Sequence, residues 1–347
     1  MMKEAKEEES TLSVHGHGVK VTEVLKDGDG LTFLIVSQKL SGTGEYHVDR
    51  TYEDFEWLQQ QLFTQEDVPG IQGVIFPPLP AKAQVNASAK AVKQLGFLAL
   101  EELQPYCAAL ETFIHQPPGR QRARKNIFNR LSQAVEEMRK ESHKDVDDFF
   151  QSQRDMNIAL TGSTKNAVEK FLDVVLSEQK IAVACGHFAA SLHLCVESGD
   201  DPDKAAFSKI CVKLSDIFES MKKNMTNVAK NDVSTLGLGL DLESRYQEAE
   251  KEMLFRRTCK LVELETARKN AEKAKPVKKA ALEEVKKAAE TEFDHICEVA
   301  KQEIEHFQGE RVQMLQQALV SWCEKQLLTA RETAEQYNQH LQAFREM

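Results

Sequence analysis

Beyond Gly119 the chain carries no strand signal, and apolar residues recur at helical spacing for the rest of its 347 residues. That run is broken at Gly199-Asp200-Asp201-Pro202 and again at Pro276. Proline cannot continue a helix from within, because it lacks the donor and clashes with the preceding turn. The breaks therefore predict three long helices. The first runs from Asp145 to Val196. The second runs from Asp203 to about Ala274, disturbed at Leu236-Gly237-Leu238-Gly239-Leu240. The third runs from Val277 almost to Met347. Val168, Leu172, Val175, Ala182, Cys185, Ala189 and Leu192 mark the seam of the first helix. Phe293, Ile296, Ile304, Phe307, Leu315, Leu319 and Trp322 mark that of the third. Helices this thin cannot cover both sides of such seams within one chain, which implies an antiparallel dimer.

The N-terminal part has a different period. Val19, Val21 and Val24 lie in a strand-like stretch that ends at Asp27-Gly28-Asp29-Gly30, which has hairpin-turn chemistry. Leu31 to Val36 is β-rich, Ser41-Gly42-Thr43-Gly44 makes a second turn, and Tyr46-His47-Val48 is a third short strand. Tyr52 to Phe63 switches to helical spacing. A stiff Phe76-Pro77-Pro78-Leu79-Pro80-Ala81-Lys82 loop follows, then a helical stretch from Ala87 to Ile114 divided at Gly96 and Pro105. Pro117-Pro118-Gly119 closes the head. The fold class is an α+β head, a three-stranded antiparallel sheet with helices, followed by an all-α elongated three-helix domain.

The net charge of -10 argues against general nucleic-acid binding. No apolar run reaches bilayer-spanning length. The acidic start is neither a signal nor a transit peptide, and seven cysteines without a Cys-x-x-Cys motif suit reduced thiols, so the expected location is cytoplasmic. Two basic regions stand out. Residues 119–141 set Arg122, Arg124 and Lys125 beside Ile127, Phe128 and Leu131, the pattern of an interfacial amphipathic helix or of one that packs on the long coils. Around Pro276 lie Arg268, Lys269, Lys273, Lys275, Lys278 and Lys279, followed by Lys286 and Lys287, with Glu272, Glu283 and Glu284 as the acidic neighbours. Such a cluster at an elbow suits an anionic lipid surface, or else is a solvated corner.

No catalytic constellation is visible, so no enzyme activity, metal or cofactor is expected. Cys185-x-His187 and His193-x-Cys195 lack metal spacing and read as buried helix residues. Gly237-x-Gly239 lacks the strand and third glycine of a nucleotide loop.

The organisation resembles the sorting nexins of the PX-BAR type: a PX head, an amphipathic linker helix and a three-helix BAR dimer. Pro77-x-x-Pro80-x-Lys82 matches the PX loop signature, and Tyr52-Glu53-Asp54-Phe55 looks like the PX strand-to-helix junction. Val146-Asp147-Asp148-Phe149-Phe150 and Leu254-Phe255-Arg256-Arg257-Thr258 resemble coil segments of the branch with sorting nexins five and six. The resemblance implies a disordered tail at 1–12, a PX domain at 13–118, the linker helix at 119–141 and a BAR domain at 142–347. It implies phosphoinositide contacts at Lys82 and Tyr52, and membrane contacts at the two basic regions.

It also implies function: peripheral attachment to early endosome membranes and tubules, curvature sensing or induction, and sorting of cargo-tail peptides. The partner would be anionic lipid, phosphoinositides among it, and a second PX-BAR sorting nexin in a heterodimer or a second copy in a homodimer. Nucleic acid is not a partner.

The sequence departs from the PX pattern where the pocket needs arginine. Thr51 precedes the aromatic Tyr52, with Arg50 one residue earlier on the opposite strand face. No basic residue occurs between Lys93 and Arg120. Losing a bidentate phosphate contact predicts weak binding of phosphatidylinositol 3-phosphate. The stretch from Ala83 to Leu103 is also short for the cargo-reading insertion of the five/six branch. The other reading is a dimeric interaction scaffold whose head binds a peptide or partner protein.

Overall fold

A computed structural model of the chain describes residues 13–14, 17–27, 30–39, 44–63, 68–80, 104–114, 143–196 and 202–346. In chain order these form β1 (Ser13–Val14), β2 (His17–Asp27), β3 (Gly30–Lys39), β4 (Glu45–Thr51), α1 (Tyr52–Phe63), a 3₁₀ turn (Ile71–Gly73) and α2 (Gln104–Ile114). Four helical segments follow: α3 (Asp148–His193), α4 (Pro202–Asp232), α5 (Leu238–Glu272) and α6 (Pro276–Arg345), with a π turn at Val233–Gly237 between α4 and α5.

The strands β2, β3 and β4 make the antiparallel meander that the turn chemistry predicts, and the two-residue β1 adds to its β2 edge. A bulge at Thr22 shifts the β2–β3 register between Val21 and Glu23. Bulges disrupt the local ladder. Here the Val21 N–H donates to the Glu111 carboxylate of α2 at 3.3 Å. Helix α1 starts at its sequence-read position because Thr51 and Asp54 form a capping pair. The Thr51 N–H donates to Asp54 Oδ2 at 2.8 Å, the reach-back half of a capping box. The head core is aromatic: Phe33 meets Phe55 edge-to-face at 5.8 Å, and Phe55 meets Phe113 at 6.4 Å. Pro105 sits in the first turn of α2, where its missing donor costs nothing; the Gly96 division lies outside the described residues.

The chain resolves into two compact units. The first comprises Met1–Lys82, Tyr106–Ser163 and Ser244–Glu310. In it the head is bolted to the coils. The 3₁₀ turn and the extended segment after it lie against α5 and α6. A Cβ on Gly73 would stand 2.5 Å from the Ile296 carbonyl oxygen, so only glycine allows the turn to touch the α6 backbone. Ile75 then enters a core with Phe150, Met253, Leu254, Ala300, Ile304 and Phe307. Its N–H donates to Glu303 at 3.0 Å, and Arg256 donates to the Val74 carbonyl at 2.6 Å while lying 5.0 Å over the Phe76 ring. Burial pulls the Arg256 guanidinium down to about 10 and pushes the Glu303 carboxyl up.

Deeper in the same unit, Arg257 is 1 % and Asp145 0 % exposed along their side chains. The Nη1 and Nη2 groups of Arg257 donate to the Asp145 carboxylate, and Nε donates to Cys297 Sγ at 3.3 Å. The guanidinium also stacks 3.5 Å over Phe150 and 5.0 Å over Phe293. Asn157 completes the polar interior, donating to the Gln247 carbonyl at 2.9 Å and to Glu250 at 3.1 Å.

The second unit comprises Ala83–Pro105, Thr164–Glu243 and Arg311–Met347. Leu172, Val175, Leu176 and Ala229 form its core, and Ala182, Cys185 and Ala189 continue the α3 seam. The disturbance read at 236–240 is the π turn, displaced toward Val233. Gly239 belongs to close helix packing: a Cβ there would stand 2.5 Å from that of Ala318. Asp232, at the last position of α4, is buried and accepts from Trp322 at 2.8 Å and from Gln326. Facing it electrostatically is Glu178, whose Oε2 is buried without a hydrogen-bond partner among the described residues. Burial, with Asp232 adding like charge, pushes Glu178 up to about 7.

Two expectations need correction. Of the four residues in the Cys-x-His and His-x-Cys pairs, only Cys185 is buried, and His187, His193 and Cys195 are exposed. Residues two apart on a helix point in different directions, so a pair cannot share one seam. Leu319 is also exposed rather than on the buried face of α6.

Two outcomes follow. Asp145→Asn leaves the Arg257 charge buried without its counter-ion, which costs about 3–5 kcal/mol; equilibrium urea denaturation measures it. Glu178 binds its proton more tightly in the folded state than its ordinary 4.5 allows. The folded chain therefore holds more protons than the unfolded one between pH 4.5 and about 7, and stability falls as pH rises through that window. Glu178→Gln flattens that slope in a pH series of thermal melts and raises the melting temperature at pH 8.

Candidate functional site

Six cationic residues read from the sequence come together at one corner. Helix α5 ends at Glu272 and α6 begins at Pro276. Proline at the first helical position sacrifices no hydrogen bond and presets the dihedral, so the chain turns sharply here. The turn is held by the Lys273 N–H on the Lys269 carbonyl at 3.2 Å and the Lys278 N–H on the Lys275 carbonyl at 2.9 Å. Arg268, Lys269, Lys273, Lys275, Lys278 and Lys279 are all exposed.

Their pairing decides what the corner can do. Arg268 is tied to Glu290 at 3.0 Å and Lys286 to Glu283 at 3.2 Å. Lys269, Lys273, Lys275, Lys278, Lys279 and Lys287 form no ion pair among the described residues. Lys269 sits in the last turn of α5, where the helix dipole favours a cation. Lys278 and Lys279 sit in the first turn of α6, which has no acidic residue. There the dipole opposes them by about 0.3–1 kcal/mol each at low salt. Cations placed against a dipole and left without partners do not serve the fold. They leave a positive corner that an external anion can occupy.

The sequence reading did not single out Val277, which stands among these lysines and is 96 % exposed. No periodicity argument flags one valine beside a helix break.

In the head, Tyr52 is buried and its hydroxyl donates to the Pro80 carbonyl at 2.6 Å. Leu79 and Pro80 are buried beside it. Tyr52 therefore pins the proline loop two residues before Lys82. Lys82 lies outside the described residues, as do Arg122, Arg124, Lys125, Ile127, Phe128 and Leu131. Arg50 is exposed on β4 and donates to the Asp49 carbonyl at 2.7 Å. The two coil segments singled out on resemblance, Val146–Phe150 and Leu254–Thr258, meet in space: Arg257 lies over Phe150 beside Asp145.

All seven cysteines are free. Among the described residues no cluster of metal-ligating side chains occurs, and no helix is long and apolar enough to cross a membrane.

The family described as Vps5 C terminal like matches residues 124–343, and the PX domain family matches residues 38–189. Sorting nexin-6 of Homo sapiens is 24% identical over 368 residues, covering 90% of this chain and 88% of the relative. Sorting nexin-32 of Mus musculus is 24% identical over 372 residues, covering 90% and 89%. Both aligned lengths exceed the chain's 347 residues, so the relatives carry residues with no counterpart here. Among solved structures, the cryo-EM structure of the SNX-BAR Mvp1 tetramer matches at 11% identity and a TM-score of 0.44, covering 93% of this chain and 99% of that one.

The Tyr52–Pro80 bond sets an expected outcome. Tyr52→Phe removes the hydroxyl and leaves the loop carbonyl unpaired in a buried place, costing about 1–3 kcal/mol. Urea denaturation gives the loss, and proteolysis at the loop accelerates.

Proposed function

Because the chain belongs to the Vps5 C-terminal-like family of PX-BAR sorting nexins, we propose that it works as a peripheral membrane protein of endosomal trafficking. It carries no catalytic role in this reading. The carrying observation is the elbow: a cluster of unpaired, exposed lysines around Pro276 in a chain of net charge -10. In an acidic protein such a corner is attracted to an acidic lipid surface while the rest of the chain is repelled.

The remaining parts take their places around it. Residues 13–118 serve as the PX head, 119–141 as an amphipathic linker helix, and 142–347 as the BAR coil, after a tail at 1–12. The linker supplies Arg122, Arg124 and Lys125 to headgroups and Ile127, Phe128 and Leu131 to the apolar side. Lys82, on the loop that Tyr52 pins, is the basic residue of a degenerate phosphoinositide pocket.

Dimerisation supplies the missing affinity. The second unit exposes Ile181 and Phe188 on α3, Phe207 on α4 and Leu328 on α6, more large apolar surface than a solvated coil needs. A second PX-BAR subunit with an intact pocket, joined there in a heterodimer, multiplies weak membrane contacts into firm attachment. Early endosome tubules are the proposed location and cargo-tail peptides the proposed load.

The test is co-sedimentation with anionic vesicles. Each lysine near the surface contributes about 1 kcal/mol, so Lys273→Glu, Lys275→Glu, Lys278→Glu and Lys279→Glu together lower partitioning by more than about a hundredfold. Unchanged partitioning contradicts the role of the elbow.

A further inference from the structure

Charge attraction does not account for Val277. It is the second residue of α6, 96 % exposed, next to the Pro276 that begins the helix. Single exposed apolar residues are ordinary, but this one heads a row. At the helical repeat, Ala281 and Val285 follow it on one side of α6, and Ala288 closes the row. All four are exposed, Val285 at 55 %. The same helix buries Phe293 against Leu261 and Leu264 of α5, so the row lies off the packed side.

The surroundings of Val277 are cationic. Lys275 and Lys278 flank it in sequence, and Lys273 and Lys279 lie within a turn. Glu272 ends α5 beside Lys273, and Glu284, exposed, lies in the row between Ala281 and Ala288, nearly two turns beyond Val277; Glu283 is paired with Lys286. An apolar point inside a ring of unpaired cations matches one kind of surface: a plane of anions with an apolar layer just beneath. Lysines reach sideways to the anions on flexible apolar stems while a short valine goes straight down.

We propose that Val277 is an interfacial anchor that enters the headgroup–acyl boundary of an anionic bilayer, with Ala281 behind it and Lys273, Lys275, Lys278 and Lys279 on the surrounding phosphates. This rests on the membrane reading of the elbow and adds a salt-resistant component to it. Electrostatic binding is screened as salt rises. Burial of a valine is not, so part of the vesicle binding survives high salt.

The test uses the full chain and vesicles of phosphatidylserine and phosphatidylcholine, with some acyl chains brominated. Val277→Trp places a reporter at a fully exposed position. Its added fluorescence, measured against the parent chain, shifts blue on vesicles and is quenched by the brominated chains. Val277→Ser weakens vesicle partitioning about fivefold at low and at high salt alike, because the lost contribution is not screened. If the parent binds but the new tryptophan stays unquenched and Val277→Ser binds like the parent, the anchor is overturned and the electrostatic elbow stands. If the parent does not bind these vesicles at either salt, the membrane reading of the elbow fails and the anchor with it. If the new tryptophan is buried without vesicles, in proportion to protein concentration, the corner docks on another copy of the chain and the lipid proposal is overturned.

Discussion

The contact between the Gly73 turn and the α6 backbone is the constraint on which the first unit depends. Packing of backbone against backbone leaves no room for a side chain. Once the turn sits there, the next residues have no alternative path. Ile75 is drawn into the coil core, and the Val74 carbonyl and Ile75 N–H find partners in Arg256 and Glu303. Those partners are themselves costly to bury. Arg256 and Glu303 are both shifted toward their neutral forms, so the coil accepts a desolvation penalty to receive the head. The head is therefore part of one packed body with these coil segments and not a bead on a tether.

The buried Arg257–Asp145 pair supports the same joint from below. Asp145 lies just before α3, and Arg257 lies in mid α5. Bidentate geometry and stacking on Phe150 and Phe293 satisfy a charge that an apolar core would otherwise reject. Such a pair is weak as a source of net stability. Its consequence is positional: the start of α3 has one register against α5.

Much of this architecture was legible in the sequence because its causes are local. Proline breaks a helix from within but fits its first turn, so Pro202 and Pro276 divide the coil where α4 and α6 begin, and the Asp-Gly turn and the capping pair at Thr51 and Asp54 act within a few residues. Tyr52–Phe63 was read from its helical spacing and the start of α6 from Pro276, while the capping pair itself was not read. The elbow was legible too, since a run of lysines beside a break depends on nothing distant. What was not legible depends on partners far along the chain. Gly73 looks like any turn glycine until α6, more than two hundred residues on, lies across it. Arg256 and Arg257 look like a solvated basic pair, and the structure places one on a loop carbonyl and the other in the core. Glu178 gives no sign in sequence that Asp232 faces it. Val277 heads only a short row with two alanines and Val285, and its meaning comes from exposure.

These observations give the molecule a division of labour. Its stabilising charges are buried and paired, as in Arg257 with Asp145, or bridged on the surface, as in Arg311 with Glu243. Among the described residues, Lys269, Lys273, Lys275, Lys278 and Lys279 at the elbow are neither. Placed partly against a helix dipole and left without counter-ions, they are available to a surface that brings its own anions. Lysine footprinting by amine-reactive labelling, read by mass spectrometry with and without anionic vesicles, addresses that claim residue by residue. Lys273, Lys275, Lys278 and Lys279 lose reactivity together when vesicles are added and regain it at high salt if the account is right. Undiminished labelling of all four on a vesicle-bound chain would contradict it.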